Sequence, residues 1–226
     1  LIPAGLAAVQ IKIWDKPVRA VHWAIVVLMP AQWWTADSGD MTRHKQLGYL
    51  MLALVAFRFF WGVAGSPTAR FAAFLRGPRA IISYASGLFG KESAVVVGHN
   101  PLGGWSATVL LLLLATQIVI GLFAQDVDGI ESGPLSYLVS YDTADAARGW
   151  HHFLFNVLLG FIALHIVAIL FYLIVKRDNL IGPMISGRKN VAAGVTQPLF
   201  APAWRVAAGV IGSAALAWWI SAGAPH

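Results

Sequence analysis

Cysteine is absent from all 226 residues. Its absence excludes disulfides, iron–sulfur clusters, zinc–thiolate sites and the C-x-x-C-H attachment of c-type haem. Charge is scarce too: 12% of residues are charged, about half of the roughly 25% usual in soluble domains. With 58% hydrophobic residues and a mean hydropathy of +0.68, the composition excludes a pair of soluble domains. It points to an integral membrane protein with room for four or five spans and short loops. No internal repeat or low-complexity tract stands out. The N-terminus lacks the short apolar run and small-residue cleavage site of a signal peptide, so its first hydrophobic segment is expected to stay as a helix.

Five segments are near the ~20 apolar residues that a spanning helix needs. They run from about Val18 to Thr35, His44 to Ala64, Gly104 to Ala124, Trp150 to Val175 and Trp204 to Ser221. With the N-terminus placed inside, the cytoplasmic side receives Lys12, Lys16, Arg19, Arg70, Arg76, Arg79, Lys91, Lys176, Arg177, Arg188, Lys189 and Arg205. The outer side receives only Arg43, Lys45 and Arg148, and Arg58 lies within the second span. That asymmetry follows the positive-inside rule. It also accounts for the net charge of +6 without a nucleic-acid partner. Tryptophans mark both interfaces: Trp14, Trp61, Trp105 and Trp204 inside, and Trp33, Trp34, Trp150, Trp218 and Trp219 outside. Residues 66–103 form the longest connection. Phe71, Phe74, Leu75, Ile81, Ile82, Tyr84 and Leu88 suggest an amphipathic segment on the cytoplasmic surface, broken at Gly77-Pro78. An ordinary connector is the alternative.

The histidines decide the function class. His151 and His165 lie fourteen residues apart on the fourth span, which leaves them only about 40° apart around the helix and ~21 Å apart along it. Ionisable residues inside a membrane helix are costly and usually functional. His22 stands near the inner start of the first span and His44 at the outer start of the second. Depth alone therefore pairs His44 with His151 outside and His22 with His165 inside. A lone membrane histidine more often makes a helix–helix hydrogen bond, but two depth-matched pairs suit two stacked haems. Two imidazoles per iron give a six-coordinate electron-transfer centre with no open position for oxygen.

The remaining candidates fall around this frame. His152 is thirteen residues from His165 and so about 140° off its face, which leaves His151 as the ligand. His226 has no evident partner, and His99 reads as a loop histidine. Arg58, fourteen residues from His44, shares its face at the inner level. A haem propionate would suit its guanidinium, with a simple snorkel to the surface as the alternative. Gly48, one turn from His44, would let a flat macrocycle approach, although helix packing also favours small residues. On the fifth span, Gly209, Ser213 and Ala217 form a small-residue stripe. It could meet a partner subunit, a second copy or the chain's own bundle.

Several stretches resemble the bacterial cytochrome b561 proteins and the b-type cytochrome subunit of nickel–iron hydrogenases. They are Trp14-Asp15-Lys16-Pro17-Val18-Arg19-Ala20-Val21-His22-Trp23, His44-Lys45-Gln46-Leu47-Gly48-Tyr49, Ala69-Arg70-Phe71 to Phe74-Leu75-Arg76-Gly77-Pro78-Arg79, and His99-Asn100-Pro101-Leu102-Gly103-Gly104. With the paired histidines of the fourth span they cover roughly residues 12 to 190. The resemblance implies an all-α membrane protein: a four-helix haem-binding bundle over residues 1–190, holding two non-covalent b-type haems. Residues 191–226 would add a linker and a fifth C-terminal helix. The implied ligand pairs, His22 with His165 and His44 with His151, match those from depth. Electron exchange with the membrane quinone pool is also implied. His152 departs from the family pattern, where many relatives carry an acidic residue, and the fifth helix is additional to the minimal core.

The expected protein is thus a multi-pass cytochrome of the bacterial inner membrane, N-terminus cytoplasmic and C-terminus periplasmic. It would pass electrons between quinone and an outer redox partner such as a cytochrome c, a dehydrogenase or a hydrogenase. Polar neighbours for quinone protons are Arg58, His99 and Lys16 inside, and His152, Asp142 and Asp145 outside. Gln117 could serve as well, although an interhelical hydrogen bond suits it better. The alternative is oxidation of superoxide, steered by Arg43, Lys45 and Arg148. The acidic residues Asp126, Asp128, Glu131, Asp142 and Asp145 oppose that reading and favour a basic partner.

Overall fold

The computed structural model describes residues 8–88 and 98–224; Lys91 and His226 lie outside the described residues. In chain order the elements are β1 (Ala8–Lys12), α1 (Lys16–Asp37), α2 (Met41–Ala64), α3 (Phe71–Phe74) and α4 (Pro78–Ser86). There follow α5 (Pro101–Phe123), α6 (Tyr141–Ile174), α7 (Ile181–Ser186), β2 (Arg188–Ala192) and α8 (Ala203–Ser221). The expected all-α membrane architecture is present. Among the described residues, α2, α5, α6 and α8 are long and apolar enough to cross a bilayer. The first segment read as a span, α1, has the length, 22 residues, but His22, Pro30 and Gln32 dilute its apolar run. The apolar outer surface of α6, with Leu164 and Val167 more than half exposed, is what a membrane-spanning helix presents to lipid.

Helix α6 starts nine residues before the expected Trp150. Its first turns are polar, and local bonds stabilise them: Ser140 caps the amide of Thr143 at 3.3 Å, and Asp145 pairs with Arg148 at 2.8 Å. Polarity there marks emergence from the membrane, not the end of the helix.

By their packing the residues fall into two compact units. One holds Leu1–Ala20, Phe60–Val109 and Ile162–Val206; the other holds Val21–Phe59, Leu110–Phe161 and Ala207–His226.

The first unit is organised around the entry to α1. Asp15 is buried: one carboxylate oxygen accepts from the amide of Val18 at 2.9 Å and the other from the indole Nε1 of Trp61 at 2.8 Å. The first bond is an N-cap, with Pro17 preset for the opening turn. Strand β1 pairs antiparallel with β2, Val9 opposite Val191 and Lys12 opposite Arg188. The ladder continues as Ile13 and Trp14 both donate to the carbonyl of Gly187, and Arg19 donates to Met184 and Ile185 at the end of α7. The motif 14–19 is thus a structural clamp. His99 packs between the rings of Trp14 and Phe74, at 4.7 and 4.5 Å, in keeping with a loop-stabilising residue.

The second unit has its core on the apolar faces of the long helices, with Met51, Val55, Phe57, Leu114 and Leu158 buried. The stripe on α8 faces inward: Gly209, Ser213, Ala217 and Ile220 are buried within the chain itself. Ile220 and Ala224 cluster with Leu135, against Leu52, Leu122 and Phe123. Tyr137 donates to the carbonyl of Gly223 at 2.6 Å and holds that end in place. The stripe therefore packs at least in part against the chain's own residues.

Candidate functional site

Two of the four candidate ligands, His44 and His151, lie in the second unit and meet. Their ring centres are 6.3 Å apart with planes at 86°. Each ring is oriented by a backbone carbonyl of a neighbouring helix. His44 Nδ1 lies 3.1 Å from the Gln32 carbonyl on α1, and His151 Nδ1 lies 2.9 Å from the Gln117 carbonyl on α5. A carbonyl can only accept, so Nδ1 carries the proton in both rings. The lone pair is left on Nε2, the tautomer a metal ligand needs. Both imidazoles are therefore presented in the ligating form, with the outer-shell hydrogen bond already made.

Surrounding residues reinforce that orientation. Thr35 Oγ1 donates to the carbonyls of Ala31 and Gln32 at 2.9 and 3.1 Å, and lies 3.5 Å from His44 Nδ1. The side-chain amide of Gln117 donates to the carbonyl of His151 at 2.9 Å, so Gln117 is the interhelical tie its sequence reading favoured. One turn further along α5, Gly121 lies against the ring. A Cβ there would fall 2.7 Å from Cε1 and 2.9 Å from Nδ1 of His151. Sequence reasoning did not single out Gly121 or the two carbonyl acceptors.

Gly48 is less constrained. A Cβ at Gly48 would meet the Gln32 side chain at an ordinary 3.5 Å. Arg58 is half-buried on α2, and His152 is exposed, as its angle on α6 requires. His22 lies in the second unit, its ring edge-on to Trp23 at 5.1 Å, and His165, half-buried, belongs to the first. Arg43, Lys45 and Arg148 are each held by a carboxylate: Arg43 by Asp40 at 3.1 Å, Lys45 by Glu131 at 2.8 Å and Arg148 by Asp145 at 2.8 Å.

The donor set fits a haem iron. Two imidazoles approaching one metal from opposite sides, each nitrogen about 2 Å from it, would have ring centres roughly 6 Å apart, and the spacing between His44 and His151 is 6.3 Å. Neutral nitrogen donors, an apolar helical setting and no thiolate suit a low-spin b-type haem.

Comparison with known proteins agrees with this chemistry. The model for prokaryotic cytochrome b561 matches residues 13–187. A protein of Bradyrhizobium diazoefficiens described as a probable Ni/Fe-hydrogenase B-type cytochrome subunit is 26% identical over 213 residues, covering 79% of this chain and 85% of that one. Its counterpart of the same description in Cupriavidus necator is 21% identical over 222 residues, covering 84% and 91%. No solved structure matches significantly. The chain belongs to the prokaryotic cytochrome b561 family: it is an integral membrane b-type cytochrome, built to transfer electrons through haem b.

Proposed function

We propose that this protein is a di-haem cytochrome of the bacterial inner membrane that carries electrons between the quinone pool and a redox protein at its outer face. The observation that carries the reading is the His44–His151 pair, with both Nδ1 protons committed to backbone carbonyls and the ring centres 6.3 Å apart. His44 and His151 hold the outer haem. His22 and His165 hold the inner one, on the helix register of α6 and the family resemblance, and Arg58 binds a propionate. Haem bound at such a site supplies a reversible one-electron couple. The chain's own part would be to supply the histidine nitrogens, fix the ring orientations and exclude water with the apolar faces of α2, α5 and α6.

The N-terminus is cytoplasmic on the basic-residue asymmetry. Both relatives are described as hydrogenase cytochrome subunits, which supports a hydrogenase-type donor. Neutralisation of Arg43, Lys45 and Arg148 by carboxylates favours electron exchange with a protein over capture of superoxide, since a paired cation attracts an anion weakly.

A reduced-minus-oxidised spectrum of the purified protein, with haem quantified as pyridine haemochrome, tests this reading. Two b-type haems per chain are expected. His44→Ala and His165→Ala should each remove or perturb a different one. Two intact low-spin haems in both variants would refute the ligand assignment, and a haem-free wild type would refute the function.

A further inference from the structure

Helix α4 is an amphipathic element that the electron-transfer reading does not use. None of its nine residues is buried. Ile81 and Tyr84 are half-covered, whereas Arg79 and Ile82, three residues apart on the outer row, are exposed, Ile82 to 67%. Arg76, two residues before the helix, is exposed as well. Among the described residues neither Arg76 nor Arg79 has an ion-pair partner. Residues 66–88 contain three arginines and no acidic residue.

Two hydrogen bonds fix the level of this segment. The hydroxyl of Tyr84 meets that of Tyr172 at 2.8 Å, and the indole Nε1 of Trp105 donates to the carbonyl of Arg76 at 2.9 Å. Tyr172 lies in the last turn of α6. Just beyond it Ile174 and Val175 are exposed to 69% and 62%, and Lys176 and Arg177 follow. An apolar run giving way to cations is where a spanning helix leaves hydrocarbon. Trp105, 41% exposed near the start of α5, marks the same boundary, since indoles collect at headgroup level. Helix α4 is thus tied from two spanning helices to the polar–apolar interface.

We infer that α4 and the turn before it bind anionic phospholipid headgroups, Arg76 and Arg79 on the phosphates and Ile82 among the upper acyl carbons. Arginine forks match phosphate oxygens, and the exposed isoleucine on the same row suits lipid better than an aqueous acidic partner. Each basic residue at an anionic membrane surface changes partition roughly fivefold.

The lack of cysteine makes the test direct. Full-length Ile82→Cys protein carrying a fluorescent label is reconstituted into phosphatidylcholine vesicles with and without phosphatidylglycerol. Quenching by lipid-borne nitroxides, and protection from aqueous iodide, are expected. Native mass spectrometry of Arg76→Gln/Arg79→Gln protein should show phosphatidylglycerol retention reduced roughly tenfold or more relative to wild type. Unchanged retention in the folded double variant overturns the proposal. So does a label open to iodide and closed to lipid quenchers, which assigns the face to a soluble acidic partner. If the double variant does not fold, salt decides on the unaltered protein: at 1 M salt, with a screening length of about 3 Å, its preference for phosphatidylglycerol over phosphatidylcholine should collapse, and persistence refutes the inference.

Discussion

His151 and Gln117 are bonded reciprocally: the imidazole Nδ1 of His151 donates to the backbone carbonyl of Gln117, and the Gln117 side-chain amide donates to the backbone carbonyl of His151, each at 2.9 Å. The two bonds differ in what they depend on. The ring is held by backbone, which any residue at position 117 would supply as long as α5 keeps its place. The amide of Gln117 keeps α5 in place.

Gln117→Leu separates these roles. The ring keeps its acceptor, and one interhelical hydrogen bond is lost, at a cost of about 1 kcal/mol. Haem content is expected to match wild type, with a melting temperature a few degrees lower. Loss of a haem in this variant would show that the side chain, and not the backbone carbonyl, orients His151.

Gly121→Val acts on the ring itself. A Cβ 2.7 Å from Cε1 of His151 cannot be accommodated without moving the imidazole, and the branched side chain adds bulk. Pyridine haemochrome analysis is expected to show the loss of one haem per chain. Gly160→Ala on α6, where a Cβ meets nothing within 4 Å, is the matched control and should retain the full complement.

Asp15→Ala removes an N-cap worth about 1 kcal/mol and leaves the indole N–H of Trp61 buried without its charged acceptor, a loss of roughly 1.5–3 kcal/mol. Trp61 is 1% exposed, so its indole N–H has no direct access to bulk solvent in place of Asp15. A thermal melt followed by circular dichroism should show destabilisation of about 3 kcal/mol, well above that of an exposed control such as Asp142→Ala.

These residues also show what was legible in the sequence. The pairing of His44 with His151 is legible because helix register and depth are both encoded in spacing, and the structure brings these two rings within 6.3 Å. The acceptors that fix their tautomers are not, because a backbone carbonyl leaves no side-chain signal. Gly121 is one of 22 glycines, and only the position of the His151 ring sets it apart. The pairing of Ala8–Lys12 with Arg188–Ala192 escaped for another reason: no hairpin turn joins them, and short polar strands about 180 residues apart carry no local periodicity. The boundaries of α2, α5 and α8 were legible to within three residues. That of α6 was not, since its first turns are stabilised by capping and an ion pair instead of lipid.

Gly187→Ala tests the turn that joins this ladder to the entry of α1. Gly187 has φ of +81°, a left-handed conformation that costs a residue with a Cβ about 1–2 kcal/mol. The added methyl would also lie 2.9 Å from the carbonyl oxygen of Trp14 and 2.8 Å from the Arg19 guanidinium. The arginine can move; the carbonyl cannot without disturbing the amides of Ile13 and Trp14, which both donate to Gly187. The strain and the weakened bonds together are expected to cost about 2–4 kcal/mol, read as a lower melting temperature and faster proteolysis within residues 188–202. Gly77→Ala supplies the contrast. Its φ is −65° and a Cβ there meets nothing within 4 Å, so the cost should not exceed that of a weaker helix cap, about 1 kcal/mol or less. Equal melting temperatures for Gly187→Ala and Gly77→Ala would mean that the ladder does not hold the entry of α1.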